Sequence, residues 1–187
     1  MIGQLFDTDC FKILSLFSVS PGSGFKRNFI KDTTTLNNVP LDKALCKLLR
    51  SEILKSDKKV YRINFENDNS KKILEIVTKQ HKEMKDLPLN VYFLLIDLAD
   101  SLSTIKKIEV YLFGSYSKLI YKEKSDIDIA VLVPENYDIN SFNKIIKKLE
   151  KNYGKNIELH DFIKDSFYKN KRDPLVADIL INGIRLM

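Results

Sequence analysis

One segment, residues 110–133, constrains the fold of this chain more than any other. It reads VYLFGSYSKLIYKEKSDIDIAVLV. The pattern predicts an apolar strand, a Gly-Ser turn, a short helix and a second strand that opens with Asp126 and Asp128. Because side chains alternate between the two faces of a strand, we expect both carboxylates on one face.

Two carboxylates spaced in this way indicate a cation site. Acidic groups a few ångströms apart repel each other unless a cation lies between them. Mg²⁺ prefers oxygen ligands of this kind and keeps coordination positions open for phosphates. The turn at residues 114–115 can direct backbone N–H groups and a hydroxyl toward an anion. The combination favours chemistry on a nucleotide, and the alternative is an ordinary turn followed by surface acids.

This segment resembles the nucleotidyltransferases of the DNA polymerase beta superfamily, especially their minimal form. Members carry Gly-Ser, a short helix, Asp-x-Asp and a third carboxylate on a later strand. Residues 114–115 match the Gly-Ser, the Asp pair follows at the expected distance, and Ser125 precedes it. Many members have a second glycine in the short helix, where this chain has Leu119.

The resemblance covers roughly residues 90–187 and implies a small mixed sheet backed by helices, with a cleft on its open face. It implies transfer of a nucleoside monophosphate from an NTP to an acceptor hydroxyl or phosphate, with release of pyrophosphate. The expected cofactor is Mg²⁺ or Mn²⁺. The residues that the resemblance assigns to the nucleotide are Gly114, Ser115, Lys118 and Ser125, and those that it assigns to the metal are Asp126 and Asp128.

The third carboxylate is sought in residues 156–163, which read as another strand. Glu158, His160 and Phe162 share one face, and Ile157, Leu159 and Asp161 share the other. If the apolar pair faces the helices, Glu158 faces the cleft, where it would complete the metal site and assist deprotonation of the attacking hydroxyl. Asp161 is the rival and requires a bulge or a strand end. His160 is interpreted either as a phosphate contact or as a structural or surface residue.

The amino-terminal half predicts helices over residues 8–19, over residues 25–32 and from Pro40, followed by a polar turn and a strand over residues 55–64. Three helices and a basic hairpin resemble a winged helix-turn-helix domain, whose final helix, here Leu41 to Leu54, enters the major groove. The candidate DNA contacts are Lys43, Lys47 and Arg50 on the helix and Lys58, Lys59 and Arg62 on the wing.

Charge is unevenly distributed, since residues 1–86 have a net charge of +5 and residues 87–187 have +1. An excess of this kind favours a polyanionic partner such as double-stranded DNA. The alternative is a winged helix that mediates dimerisation or protein contact. We therefore expect a protein of the α/β (α+β) class with three parts: a winged domain at 1–68, a connecting helix at 69–88 and a nucleotidyltransferase-like domain at 89–187.

Composition limits the location of the protein. No apolar run approaches the roughly 18–20 residues of a membrane span, and the amino terminus lacks a signal-peptide pattern. We expect a cytoplasmic protein without a membrane partner. Cys10 and Cys46 form neither a metal-ligand pattern nor a disulfide framework, so we expect reduced core or boundary residues.

Three functions remain open from the sequence. The first is a nucleotidyltransferase whose acceptor is a partner protein or an RNA. The second is a DNA-binding regulator whose transferase-like domain is inactive and serves as a nucleotide sensor or partner-binding module. The third is an antitoxin-type enzyme that nucleotidylates a paired toxin.

Overall fold

The structure is a computed structural model that describes residues 7–135 and 140–187. The chain divides into two compact units, one ending at Ile96 and the other running from Asp97 to Met187. Among the described residues, every helix falls short of the length and apolar character that a membrane crossing requires. The sequence-derived boundaries after residues 68 and 88 stay a prediction.

The amino-terminal unit combines helices with a small antiparallel sheet in the order β1-β3-β2. Its elements are α1 (Thr8–Val19), β1 (Phe25–Lys26), α2 (Arg27–Thr34), α3 (Asn38–Arg50), β2 (Leu54–Asp57), β3 (Val60–Ile63) and α4 (Asp68–Glu83). The following helix, α5 (Leu89–Leu102), contains the boundary between the units. Apolar faces of the helices form the core through Phe11, Ile13, Phe17, Leu41, Leu45, Leu48 and Val77.

Helix α3 ends at Arg50, and the expectation that it continues through Leu54 is wrong. Glu52 has a left-handed backbone, with φ of 56°. This conformation after a helix redirects the chain and satisfies its last carbonyl groups. Two hydrogen bonds close the motif, from the Ile53 N–H to the Leu48 carbonyl and from the Glu52 N–H to the Leu49 carbonyl. Leu54 consequently begins a strand.

Other element boundaries in this unit also differ from the sequence prediction. Helix α3 begins two residues before Pro40, which occupies the first turn, where its missing N–H costs nothing. The predicted helix at 25–32 is preceded by β1, which pairs with β3, so α2 runs from Arg27 to Thr34. Cys46 is exposed instead of buried, and Cys10 is half-buried; both are free thiols.

The carboxy-terminal unit is built on a four-stranded mixed sheet. Its elements after α5 are β4 (Glu109–Leu112), α6 (Gly114–Ser117), β5 (Ile127–Val133), α7 (Asn140–Tyr153), β6 (Ile157–Ile163), α8 (Lys164–Lys169), α9 (Pro174–Asn182) and β7 (Ile184–Arg185). The strand order is β6-β5-β4-β7. The pair β5–β6 is parallel and the other pairs are antiparallel, so the mixed α+β class is confirmed. Helix α8 has no counterpart in the sequence prediction.

One face of this sheet carries both a core and the candidate site. A buried cluster consists of Tyr111, Phe113, Ala130 and Leu132 from the sheet, Phe167 from α8, and Val176 and Ile179 from α9. Because side chains alternate along each strand, Asp128 lies on the same face as Ala130. Asp128 is only half-buried, which leaves this end of the face accessible.

A buried carboxylate marks the other end of the same face. Glu109, at the start of β4, accepts hydrogen bonds from the hydroxyls of Tyr111 at 2.9 Å and Tyr168 at 2.6 Å. The Lys164 ammonium lies 2.5 Å away, and the Arg185 guanidinium lies 3.7 Å away. Burial alone raises the pKa of Glu109, but these partners outweigh it and lower the pKa to about 2.

Candidate metal and nucleotide site

The parallel pair β5–β6 brings three potential metal ligands together. Asp128 is the register partner of Glu158, and Ala130 is the partner of His160. Register partners project from the same face of a sheet, so both β6 side chains lie beside Asp128. One ligand atom from each of Asp128, Glu158 and His160 lies within 4.8 Å of the other two.

The electrostatics of Asp128 suit a cation. Burial raises its pKa, and the neighbouring charge of Glu158 raises it further. The backbone N–H of Ser115 and the His160 side chain act in the opposite direction, while Asp126 makes a smaller contribution that raises the pKa again. A cation between the carboxylates would relieve this repulsion.

Gly114 allows the turn to approach Asp128. Its φ is +67°, a left-handed conformation that residues with a side chain rarely adopt. A Cβ atom at this position would lie 1.9 Å from the Oδ2 atom of Asp128. The next residue, Ser115, donates its backbone N–H to the Asp128 carboxylate. The Gly-Ser turn therefore holds the first strand against a site carboxylate.

Asp126 directly precedes the strand that carries Asp128, and its charge contributes to the raised pKa of Asp128. Strand β5 begins at Ile127, so Asp126 precedes it and is exposed to solvent. The rule of alternating faces applies only within a strand. Among the described residues, Asp126 is outside the group of three converging donors. A role for Asp126 in metal binding stays a prediction.

The structure brings Glu158, rather than Asp161, to Asp128. Asp161 is the register partner of Val131, which puts it on the opposite face of the sheet from Asp128. All seven residues from Ile157 to Ile163 are paired with β5, so the strand has no bulge that would turn Asp161 around. The geometry thus agrees with the register in which Glu158 is the third carboxylate.

His160 belongs to the site more closely than the sequence interpretation implied. Its Nε2 atom lies 3.1 Å from the Oε1 atom of Glu158. The edge-to-face packing of its ring with Phe113 has a centroid distance of 5.2 Å. The spacing of two residues from Glu158 already indicated a shared face, which is the sequence signal for this neighbour.

Two of the predicted nucleotide contacts have protein partners. The Lys118 ammonium forms an ion pair with the Asp178 carboxylate at 2.8 Å. The Ser125 hydroxyl accepts a hydrogen bond from the Lys122 N–H at 2.8 Å, within the loop before β5. A triphosphate would have to compete with Asp178 for Lys118. Contacts of Lys118 and Ser125 with a nucleotide stay predictions.

Leu119 occupies a strained position. Its φ is 59°, and half of its side chain is exposed. The left-handed conformation costs a residue with a Cβ atom roughly 1–2 kcal/mol, which glycine avoids. The sequence resemblance places a glycine here in many members, and glycine adopts this conformation without that cost.

The candidate DNA contacts on α3 differ in their surroundings. Lys43 and Arg50 are exposed. Lys47 instead forms an ion pair with Asp7, which compensates its charge. The acidic residue of the helix, Asp42, is bound by Arg27 through two hydrogen bonds of 2.7 and 2.9 Å. Lys43 and Arg50 are consequently the stronger candidates on this helix.

The β2–β3 hairpin, which the sequence predicts to be a wing, presents two lysines at its tip. Lys58 and Lys59 connect β2 to β3 and have φ values of 47° and 64°. Two successive left-handed residues form the type of turn that usually contains Asn-Gly. Arg62 lies further along β3, and its guanidinium approaches Gly24, where an added Cβ atom would be 2.5 Å from Cζ.

Comparison with known proteins supports the carboxy-terminal assignment. The family model described as "Polymerase beta, Nucleotidyltransferase" matches residues 95–187. This range contains the four-stranded sheet and all three converging donors. No curated protein and no solved structure matches the chain. The family match supports the nucleotidyltransferase superfamily for this part of the chain and nucleotidyl transfer as its general activity.

The donors fit the divalent cation that this family typically uses. Two carboxylates supply oxygen ligands, and an imidazole supplies a nitrogen ligand, at mutual distances that a single ion can span after small side-chain movements. The Asp128 carboxylate lies next to Gly114 and is only half-buried, at the accessible end of this sheet face.

Proposed function

We propose that this protein is a metal-dependent nucleotidyltransferase that moves a nucleoside monophosphate from an NTP to an acceptor and releases pyrophosphate. The observation that carries the proposal is the register match of Asp128 with Glu158 beside the Gly114 turn. The family match to residues 95–187 supports the general activity. The acceptor is a hydroxyl or phosphate of a protein or an RNA.

Asp128 and Glu158 would hold the Mg²⁺ or Mn²⁺ ion, and Asp126, whose charge acts on Asp128, would be a further ligand. An ion bound there would neutralise the negative charge of the triphosphate during displacement. The Ser115 N–H lies close enough to lower the pKa of Asp128, so Asp128 would contribute its carboxylate beside the Gly-Ser turn. Asp126 is exposed and not fixed by the strand, which suits a ligand that completes the site when substrate binds.

Glu158 would accept the proton of the attacking hydroxyl. Its side chain is more than half exposed, so an acceptor can reach it. A general base must lie within hydrogen-bonding distance of the proton that it removes. Glu158 would meet this requirement for an acceptor that approaches from the open end of the sheet face.

The triphosphate would bind at the turn before α6. The Ser115 backbone N–H is directed toward Asp128, so the side-chain hydroxyl of Ser115 would contact the phosphate. Gly114 keeps the backbone free of a side chain at this point. Lys118 would exchange its Asp178 partner for a phosphate oxygen, which adds a positive charge beside the nucleotide.

The test uses the purified full chain with each α-labelled NTP, Mg²⁺ or Mn²⁺, and a cell extract as the source of acceptors. We expect label in one acceptor class and matching pyrophosphate release. Asp128→Asn should abolish both while the thermal unfolding midpoint stays the same or rises, since the substitution relieves charge repulsion. Equal activity of Asp128→Asn and the unchanged protein would refute the proposal.

We also propose that the amino-terminal unit is a winged helix-turn-helix that binds double-stranded DNA. The specific support is the order of helix, short strand, two helices and hairpin, with β1 completing the hairpin sheet. Exposed Lys43 and Arg50 on α3, and Lys58 and Lys59 on the wing, supply the positive charge. In this reading the transfer reaction or a bound nucleotide would be linked to a DNA site.

DNA binding is testable by fluorescence anisotropy at several salt concentrations. Each phosphate contact contributes a slope of about −0.9 to log K against log salt. Lys58→Ala/Lys59→Ala should reduce the slope by about one unit for each lost contact. The matched control, Lys71→Ala/Lys79→Ala, removes the same charge from α4 and should change the slope less. Equal slopes for both double variants would favour a role in protein contact.

A further inference from the structure

His160 lies where a metal ligand would lie. Its Nε2 atom is 3.1 Å from Glu158 Oε1. Two ligands at right angles around a divalent ion, each at about 2.1 Å, are separated by about 3.0 Å. The third donor, from Asp128, lies within 4.8 Å of both. An ion can therefore enter between the three side chains after small rotations.

The position of the ring is fixed by its surroundings. Strand β6 puts His160 on the face of Glu158, and the ring packs edge-on against Phe113 at 5.2 Å. The side chain retains about a third of its exposure, so the ring is not closed off from solvent. This arrangement presents a nitrogen donor to the site without reorganisation of the strand.

We infer that His160 is a direct ligand of the metal and that the site consequently prefers a first-row transition ion, such as Mn²⁺, to Mg²⁺. The inference rests on the proposed metal site and specifies the ion that the site selects. Imidazole nitrogen binds transition ions well, whereas Mg²⁺ favours oxygen ligands and water. A site with two carboxylates and one imidazole binds Mn²⁺ more tightly than a site with carboxylates alone.

The competing interpretation is a simple hydrogen bond between His160 and Glu158. Such a bond would hold the Glu158 carboxylate in place but would leave the nitrogen away from the ion. The two interpretations differ in one physical property, which is whether a nitrogen nucleus is bonded to the metal. Electron spin-echo spectroscopy of bound Mn²⁺ detects this coupling directly and does not depend on catalysis.

The experiment titrates the full chain with Mn²⁺ alone and records free ion by electron paramagnetic resonance and nitrogen coupling by spin-echo modulation. The chain contains two histidines, so ¹⁵N-histidine labelling shifts the modulation only if one of them is a ligand. The other, His81, belongs to the amino-terminal unit, and its Nε2 atom lies 2.8 Å from the Leu87 carbonyl oxygen. We expect nitrogen modulation that changes frequency with the label.

Substitution assigns the coupling to His160. His160→Gln should remove the modulation and weaken Mn²⁺ binding by about tenfold or more, with a smaller change for Mg²⁺ measured by competition. The matched control is Asp161→Asn, which alters the adjacent residue on the opposite face and should leave Mn²⁺ binding unchanged.

Nitrogen modulation lost in His160→Gln and retained in Asp161→Asn supports the inference. Absence of the modulation from the unchanged protein, or equal Mn²⁺ affinity of His160→Gln and the unchanged protein, overturns it. Failure of the proposed function has a different signature. If the protein transfers no nucleotide with any ion but shows the nitrogen coupling, the metal site exists and the proposed reaction does not. If the protein transfers nucleotide without the coupling, the reaction takes place with oxygen ligands alone.

Discussion

A Cβ atom on Gly114 would lie 1.9 Å from the Oδ2 atom of Asp128, so the turn and β5 fit together only when residue 114 lacks a side chain. We predict that Gly114→Ala displaces the Asp128 carboxylate. Metal affinity and nucleotidyl transfer should fall by about tenfold or more. The left-handed φ of +67° should add a loss of about 1–2 kcal/mol in the free energy of unfolding.

Gly154→Ala separates these two effects. Gly154 also has a left-handed backbone, with φ of +62°, but an added Cβ atom there would meet no atom within 4 Å. The substitution should cost a similar free energy of unfolding and leave metal binding intact. Isothermal titration with Mn²⁺ and urea unfolding of both variants measure the two quantities. A loss of metal affinity in Gly154→Ala would show that strain, and not the contact with Asp128, weakens the site.

The register of β5 and β6 predicts different roles for two neighbouring acids. Glu158→Gln should lower kcat by about 10²-fold or more, because it removes the proposed base while retaining the shape of the side chain. Asp161→Asn should retain activity, because Asp161 lies on the opposite face. Initial rates of pyrophosphate release measure both. An inactive Asp161→Asn beside an active Glu158→Gln would exclude the proposed assignment.

Leu119→Gly should stabilise the protein. Glycine removes the steric cost of the left-handed backbone at φ 59°, and this gain exceeds the entropy that glycine adds to the unfolded chain. We expect an increase of about 0.5–1 kcal/mol in the free energy of unfolding. The adjacent Ile120 is 70% exposed and is not among the left-handed residues. Ile120→Gly should therefore give no gain, and a gain in both variants would mean that strain is not the cause.

If the β2–β3 hairpin is a DNA-binding wing, substitutions at its turn should change stability and DNA binding in opposite directions. Lys58→Asn/Lys59→Gly supplies the residues that this turn prefers and should raise the free energy of unfolding by about 1 kcal/mol. It also removes two positive charges and should weaken DNA binding at low salt. Lys58→Gln/Lys59→Gln removes the charges without relieving the backbone, so it should weaken DNA binding with no gain in stability. Unchanged DNA affinity in both variants would exclude the wing as a contact.

We predict that Glu109 makes the free energy of unfolding depend on pH in the acid range. Its pKa is lowered from 4.5 to about 2, so its ionised form stabilises the folded state above pH 4.5. This contribution, up to about 3 kcal/mol, is lost as the pH falls from about 4.5 toward 2. Urea unfolding should show that the stability advantage of the unchanged protein over Glu109→Gln is full at pH 6 and shrinks across this range. An advantage independent of pH would assign the difference to packing.

Local sequence signals predicted much of the carboxy-terminal unit. The alternation of residues 157–163 put Glu158 and His160 on one face, because side-chain direction in a strand depends only on the parity of the position. Gly154 ends α7 with a left-handed conformation, as a glycine commonly does. These features depend on a few consecutive residues and need no knowledge of the rest of the fold.

Features that depend on distant partners were not predictable from the sequence. Lys47 pairs with Asp7, forty residues away, and Lys118 pairs with Asp178. No local pattern indicates which of many lysines meets which acid. The end of α3 was also missed, because its left-handed residue is Glu52, whereas glycine is the usual signal.

Strand β7 covers the outer edge of β4. In β7, Ile184 pairs with Leu112 and Arg185 pairs with Tyr111. The next two residues, Leu186 and Met187, form backbone hydrogen bonds with Val110. Without them β4 would expose a row of unpaired N–H and carbonyl groups, the surface through which sheets of separate molecules join into aggregates. A strand of two residues is itself too short to recruit another chain. The same segment that completes the sheet thus protects the β4 edge from pairing with another chain.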